Sequence, residues 1–429
     1  MSRTASMGGG LIVLLRPYVG AARPPVIRFG RHVDCDSMEP MANTSEREPA
    51  TLPRWRRLVA ELGGACGDLG TFIPHVIGAI TVAGLAPAGV LIGFGAFFIA
   101  SGAFYGLPMT VQPMKAISAV LVTGQVGAGE VAAAGMLLGV ILLVLAATGS
   151  IGWLARVIPQ SVSAGLQLGL GLSMALLGLE FVWRTPWLGA LSLALLGGLM
   201  LLRRFPAAPV MLVVAVGVGY LAGEVETPRE LAAGWSGLTF ALPSLGDAWR
   251  AFELLVLPQL PLTLTNAVIV TALVCRDLFP ATSARASERN LAVSTGLANL
   301  LLAPFGAMPM CHGAGGVQAQ HRFGARTALA PILLGAVLLV LGLGFAGSAA
   351  ALFAVIPIGA VGALLLIAGS DLAVSRRLFD AQPSCWPVIA VAAAATLWIN
   401  PAVGLIAGCL GEVARKGVLR TINKPRELT

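Results

Sequence analysis

The stretch Met308-Pro309-Met310-Cys311-His312-Gly313-Ala314-Gly315-Gly316 constrains this chain more than any other, because its surroundings are Leu, Ala, Val and Ile almost without pause. Hydrophobic residues make up 57% of the 429 and charged residues only 11%, against about 25% charged in a soluble domain. With a mean hydropathy of +0.85 the chain reads as a polytopic membrane protein. In a bilayer, non-helical backbone survives only where it is buried in protein or lines a wet cavity, since lipid cannot satisfy free N–H and C=O groups. The Pro, His and glycine cluster therefore predicts a short extended piece leading into a half-helix whose N-terminal amides can hold an anion.

At about 20 residues per crossing, Leu58 to Leu419 has room for roughly 12 to 14 spans. The net charge of +8 does not indicate nucleic acid, because the basic residues stand singly or in pairs between apolar spans, as orienting loop charges do. Six cysteines lie far apart with no Cys-x-x-Cys pair, so they read as small apolar residues. There is no Gly-x-x-x-x-Gly-Lys-Ser/Thr loop, His-Glu-x-x-His or Gly-x-Ser-x-Gly. No enzyme activity, cofactor or metal is expected.

Residues 1–53 are Arg-rich at first, with no Asp or Glu before Asp34, and their apolar run Leu11 to Leu15 is too short for a span. They read as a presequence, a disordered tail or an over-extended start, with Met41 resembling an ordinary one. The transmembrane domain is expected over 54–419 and a tail over 420–429.

Span 1, about Leu58 to Ala83, carries Gly67-Asp68-Leu69-Gly70-Thr71-Phe72-Ile73-Pro74-His75; Asp68 is ten residues in, about 15 Å and so at the midplane. Span 2 is about Leu85 to Tyr105. In Leu107-Pro108-Met109-Thr110-Val111-Gln112-Pro113-Met114-Lys115 the prolines forbid a continuous helix, which predicts an extended Thr110 to Gln112 and a half-helix, span 3, starting near Pro113. Spans 4 to 7 are placed at about Val131 to Ala147, from Val157-Ile158-Pro159 to Glu180, Leu188 to Leu202 and Pro209 to Ala222. An interfacial amphipathic piece is expected at Trp249 to Glu253. Span 8 is Leu257 to Leu273, span 9 Asn290 to Phe305, and the opening stretch is span 10. Span 12 contains Val355-Ile356-Pro357, span 13 is Pro387 to Trp398 and span 14 Ala402 to about Val413.

Three landmarks recur at nearly one spacing: Asp68 and Asn266 (266 − 68 = 198), Pro159 and Pro357 (357 − 159 = 198), and Pro108 and Pro309 (309 − 108 = 201). That pattern marks two homologous halves. Seven spans per half would invert the second. Loop charges agree, since Arg156, Arg203, Arg204, Arg276, Arg285, Arg289, Arg322, Arg326, Arg376, Arg377 and the basic tail then face the cytoplasm. Only Arg184, Arg229 and Arg250 fall outside, near Glu224, Glu226 and Glu230. The expected fold is an all-α polytopic membrane protein of about 14 segments, a 7+7 inverted repeat whose half-helices, spans 3 and 10, meet at the midplane.

Two half-helix N-termini aimed at one point suit a tetrahedral oxyanion. The candidate substrate-binding residues are Gln112, Pro113, Met114, Lys115, Cys311, His312, Gly313, Ala314, Gly315 and Gly316, together with Phe72 and Asn266. The glycines would let backbone approach the anion closely. Lys115 is the only lysine before Lys416 and could serve the substrate, snorkel to water or pair with Asp68. Asp68 is the candidate coupling residue, as a protonatable group, a cation ligand or the counter-ion of Lys115. Phe72 shares the face of Asp68 and could wall the site or simply pack. Gln112, Thr265, Asn266 and Gln318 could bond the substrate or other helices. His312 and, less directly, His75 could carry protons or donate to an oxyanion.

At these residues the chain resembles the molybdate transporter family of the sulfate-permease superfamily. The likeness runs from about Leu58 to Glu412 and includes Gly67 to Pro74, Tyr105 to Met109 with Val111 to Lys115, Leu257 to Thr263, Phe305 to Pro309 with Cys311 to Gly316, Arg322 to Arg326 and Gly362 to Leu366. Thr110 stands where the family often has Pro, and Met310 where Thr is common. The resemblance implies a core domain (spans 1–4 and 8–11), a gate domain (spans 5–7 and 12–14) and molybdate uptake without a STAS domain. The function expected is alternating-access transport of molybdate, or of tungstate or sulfate, with a proton or sodium as coupling ion. The alternatives are a sulfate or other anion transporter or exchanger, or an anion channel on the same fold. Residence in a plasma or inner membrane, both termini in the cytoplasm and a homodimer complete the expectations.

Overall fold

The computed structural model describes residues 53–153, 159–202, 207–225, 234, 237–238, 240–348, 355–374, 376–379 and 381–422. Residues 1–52, Arg156 to Ile158, Arg203, Arg204, Glu226, Arg229, Glu230 and the tail from 423 lie outside them. By contacts the chain forms two units, Met1–Leu58 and Val59–Thr429. Of the first only 53–58 is described, the opening turns of a helix.

The described helices form fourteen segments arranged as a 7+7 inverted repeat. Four of them are long and apolar enough for a full crossing: Pro87–Tyr105 (span 2), Ala128–Thr148 (span 4), Gln160–Arg184 (span 5) and Leu245–Leu278 (span 8). Span 1 is a pair, Trp55–Ala65 and Leu69–Val82, bent by 44°. Asp68 therefore sits at a break, ahead of the helix that starts at Leu69, and not inside a continuous helix. Spans 6, 7, 9 and 11 to 14 are Pro186–Leu202, Ala207–Leu221, Glu288–Leu302, Leu329–Gly344, Ile358–Ala373, Trp386–Trp398 and Pro401–Ile422.

Span 8 corrects the expectation of a separate interfacial piece. Trp249 to Glu253 belong to its first turns, which begin at Leu245 behind a Ser244 cap accepting from the Asp247 N–H. Pro258 and Pro261 lie within the helix, which widens to π geometry over Phe252–Val256 and Thr263–Val270. A proline removes one i→i−4 donor and crowds the carbonyl a turn back, and a π-turn is one way a helix absorbs this.

The halves meet through β1 (Val111–Pro113) and β2 (Met310–His312), antiparallel with Gln112 opposite Cys311. So short a ribbon needs its outer edges satisfied inside a membrane. Asn299 of span 9 does this for β2, accepting from the Met310 N–H at 2.9 Å and donating to the Met310 carbonyl at 2.6 Å. Span 3 (Lys115–Val122) and span 10 (Ala314–Arg322) follow their strands directly. The first half-helix thus starts at Lys115, two residues after the expected Pro113, because Pro113 pairs in β1 opposite Met310.

Equivalent positions behave alike in the two halves. Pro159 (φ −63°, ψ 137°) precedes span 5 as Pro357 (φ −57°, ψ 137°) precedes span 12. Gly106 and Gly306, in the left-handed region at φ 70° and 81°, end spans 2 and 9 ahead of the two strands. Backbones come together at small residues, as in membrane helix pairs generally. A Cβ on Gly171 of span 5 would lie 2.3 Å from Ala373 N, and one on Gly178 would lie 2.4 Å from Leu366 N, both on span 12. Span 2 meets span 11 the same way at Gly95 and Gly335, and span 4 meets span 9 at Gly139 and Gly296.

Candidate anion site

A cavity of about 270 Å³ lies at the start of the half-helices. Spans 3 and 8 and the β-ribbon line one side with Gln112, Lys115, Gln259, Asn266 and His312; spans 5 and 12 line the other with Gln167 and Asp371. Pro113 and Cys311 also reach it. Six of the twelve predicted binding residues thus come together here: Gln112, Pro113, Lys115, Asn266, Cys311 and His312.

Lys115 is the first residue of its half-helix and is partly exposed. Among the described residues no carboxylate oxygen lies within 4 Å of its ammonium, so the Lys115–Asp68 ion pair that the sequence left open does not form here. Neither half-helix has a side-chain N-cap, which leaves donors at each start. One is spoken for: the Ala116 N–H donates to Gln259 Oε1 at 2.9 Å, while Gln259 Nε2 donates to Thr263 at 3.0 Å. Asn266 lies in the π-helical stretch of span 8, exposed, with its main-chain carbonyl accepting from Thr271 at 2.9 Å.

Asp68 stands one layer behind the cavity. It is 4% exposed, and the Gln112 carboxamide donates to both its carboxylate oxygens, at 2.8 and 2.7 Å. Such a charge-assisted contact fixes Gln112 firmly. Gly313 and Gly316 serve this arrangement, and neither they nor Gly315 line the cavity, which corrects the expectation that these glycines bring backbone to the anion. A Cβ on Gly313 would lie 2.0 Å from Gln112 Oε1, and one on Gly316 would lie 2.5 Å from Asp68 Oδ2 and 2.6 Å from Thr110 Oγ1. Thr110 completes the knot by donating to the Gly313 carbonyl at 2.9 Å. Gly315 is exposed with open space around it, and Ala314 and Met114 are buried away from the cavity.

The His312 ring is also engaged. It is fully buried; Nδ1 donates to the Thr110 carbonyl at 3.0 Å, so Nε2 meets Ser294 Oγ at 2.9 Å, and Ser294 in turn bonds the Tyr105 hydroxyl at 2.7 Å. The ring packs on Phe97 and Tyr105, 5.0 and 5.4 Å between centroids. With both nitrogens used, the imidazole ties β2 to β1 and has no free donor for an oxyanion. His75 similarly bonds Ser118 of span 3 at 2.8 Å. Phe72 does not wall the cavity: it lies in an aromatic cluster with Phe94 and Phe98, at 4.9 and 6.0 Å. Thr265 donates to its own helix at the Pro261 carbonyl, and Gln318 is exposed outside the cavity.

Gln167 and Asp371 were not singled out from the sequence. Asp371 could have been, by the rule that drew attention to Asp68, since an ionisable residue inside an apolar span is costly and rarely idle. A second cavity, about 650 Å³, lies between the end of span 1 (Ile80, Leu85) and the start of span 12 (Pro357, Ile358), with Glu224 in its wall. From Ile358 to Asp371 is 13 residues, about 20 Å of helix, so the two cavities lie at opposite ends of span 12. Among the described residues no group of acidic, His and Cys side chains could hold a metal ion.

Comparison with known proteins agrees with this architecture. Residues 60–174 and 251–372 match the family described as "Molybdate transporter of MFS superfamily". The chain is 32% identical to Molybdate transporter 1 and 33% identical to Molybdate transporter 2 of Arabidopsis thaliana, covering 83% and 85% of this chain and 88% and 89% of theirs. It is 31% identical to Molybdate transporter 1 of Chlamydomonas reinhardtii, over 87% of this chain and 94% of that one. Its fold is similar to the transmembrane domain of the cyanobacterial bicarbonate transporter BicA, with a TM-score of 0.59 at 18% identity over 83% of this chain and 98% of that domain. It is also similar to SLC26A9, with a TM-score of 0.62 at 12% identity over 86% of this chain and 66% of that one. The superfamily label in the family's description stands apart from this fold, because a major-facilitator transporter has two six-span halves and this chain has two inverted sevens. On the family match and the identity sustained along most of three relatives, the chain belongs to the molybdate transporter family.

Proposed function

We propose that this protein is a secondary active transporter that carries molybdate across a plasma or inner membrane by alternating access. The observation that carries the reading is the 270 Å³ cavity in which Lys115, at a half-helix N-terminus, faces Asn266 and Gln167 between two sets of packed helices. A cation and neutral hydrogen-bond donors suit a compact tetrahedral dianion, and the three relatives' names supply molybdate among such anions. Tungstate and sulfate share that shape and charge. Spans 1–4 and 8–11 act as the core and spans 5–7 and 12–14 as the gate, and cavities at both ends of span 12 support sliding of one against the other. The termini face the cytoplasm, the fold likeness supports membership of the sulfate-permease superfamily, and a homodimer is the assembly proposed.

Asp68 couples transport to a proton or sodium. Its carboxylate reaches the cavity through Gln112, so its charge state would set whether the carboxamide is held back or released toward substrate. The test is uptake of molybdate into proteoliposomes with tungstate, sulfate and bicarbonate as competitors. Saturable, gradient-driven uptake with competition by tungstate is expected; currents in a planar bilayer without saturable uptake would replace the carrier by a channel. Asp68→Asn should abolish concentrative uptake and leave exchange largely intact. Unchanged pH and sodium dependence in that variant would refute the coupling role.

A further inference from the structure

We infer that Asp371 is the gate-side counter-charge of Lys115, holding the empty carrier in this conformation and speeding departure of the anion once it has bound. The inference rests on the proposed anion site and adds a residue on the opposite wall.

Asp371 is exposed, near the end of span 12, and lines the cavity that holds Lys115. The two groups lie within Coulombic reach without direct contact, since no ion pair within 4 Å forms between them. They belong to different packed sets: Lys115 starts the half-helix of span 3, and Asp371 is on a helix clasped to span 5. That clasp is rigid, because Gly171 leaves no room for a Cβ against Gly369 O (2.5 Å) and Ala373 N (2.3 Å), the residues flanking Asp371. One turn before Gly171, Gln167 lines the same wall. The wall thus presents a carboxylate to the site. A surface built only to hold an anion would present donors. This one instead suits the ammonium of Lys115 when no anion is bound.

A dianion entering the cavity takes over Lys115 and meets the Asp371 charge. Attraction in the empty site and repulsion in the loaded one both lower affinity and both favour release. When the core slides, Lys115 leaves with it and Asp371 stays, so the interaction exists only with this cavity formed.

The test compares wild type, Asp371→Asn, Asp371→Glu, Lys115→Gln and the Lys115/Asp371 double variant in proteoliposomes, with equilibrium molybdate binding measured in detergent. Asp371→Asn should bind molybdate roughly tenfold more tightly, for one unit charge facing a dianion across a hydrated cavity. Its KM and kcat should fall together. Asp371→Glu, which keeps the charge, should lie nearer wild type, and the double variant should bind more tightly than Lys115→Gln alone. Equal shifts in Asp371→Asn and Asp371→Glu, or a fall in kcat with affinity unchanged, would overturn the inference. Failure of wild type to bind or transport molybdate would instead sink the proposed substrate, a separately readable result.

Discussion

Gly316→Ala tests the interlock behind the cavity most directly. The added methyl would lie 2.5 Å from Asp68 Oδ2, 2.6 Å from Thr110 Oγ1 and 2.7 Å from Gln112 Nε2, all inside any contact a carbon tolerates. Each atom ends a side chain that could swing away elsewhere. Here they hold one another: Gln112 bonds both oxygens of Asp68, and Thr110 bonds the Gly313 carbonyl. Making room costs at least one hydrogen bond to a charged group, roughly 1.5–3 kcal/mol, and overpacking adds about 1–3 kcal/mol. A loss of about 3–5 kcal/mol is expected, a large part of the roughly 5–15 kcal/mol that holds a typical fold. Gly315→Ala is the control one residue away, with nothing within 4 Å of its new methyl and about 1 kcal/mol of helix propensity to gain. Thermal unfolding in detergent and molybdate uptake should separate the pair, with Gly316→Ala unfolding well below wild type and transporting poorly while Gly315→Ala matches or exceeds wild-type stability. Equal behaviour of the two variants would refute the reasoning.

Three further outcomes follow from the same geometry. Gln259→Leu strands the Ala116 N–H next to Lys115, which should cost about 1–3 kcal/mol and raise KM for molybdate several-fold, read by unfolding temperature and uptake kinetics. Ser294→Ala removes the partner shared by His312 and Tyr105; stability should fall by about 1–3 kcal/mol, while KM moves less than about twofold because the ring has no free nitrogen for the anion. A tenfold KM increase would place the imidazole in the binding step. Gly171→Leu would drive a side chain into the backbone of span 12 and should yield no monodisperse protein on size exclusion, whereas Gly197→Ala, in open space, should behave as wild type.

Much of the fold was legible because membrane burial leaves few ways to satisfy a backbone. Prolines at 108, 113 and 309 had to interrupt helices, and the strands at Val111–Pro113 and Met310–His312 are those interruptions. The repeat spacing was legible too, since Pro159 and Pro357 do the same work at the same dihedral angles. The site was harder to read. Glycines at 313, 315 and 316 look alike in sequence, yet two are pressed against Gln112 and Asp68 and one faces open space, a difference set by residues of the first repeat, about 200 to 250 positions earlier. His312 looked like a donor because it precedes a half-helix, but Thr110 and Ser294 claim its nitrogens from two other segments. Gln167 and Asp371 were missed because attention fell on broken helices, and these residues lie on unbroken ones. A cavity between two sets of helices takes part of its lining, here Gln167, Asp371 and Leu372, from the plain side.

The two halves also complete each other in a way that explains why one fold built twice makes a single site. Glu61 and Gln259 occupy equivalent positions, 259 − 61 = 198 residues apart. Glu61 Oε1 accepts from the Arg326 and Thr327 N–H groups of the second half, and Gln259 Oε1 accepts from the Ala116 N–H of the first. Each span so placed satisfies main chain belonging to the opposite repeat, so neither half can bury its broken helix alone. Symmetry ends where charge begins. The half-helices start at Lys115 and Ala314, 314 − 115 = 199 apart, and Asp68 is matched by Asn266. Both ionisable members of these pairs lie in the first repeat, while the second contributes neutral groups. An anion at the proposed site between the halves would therefore be held by charge from one side and by dipoles from the other. Any displacement that separates it from Lys115 weakens it steeply, whereas the same displacement from Asn266 costs a neutral hydrogen bond that water replaces.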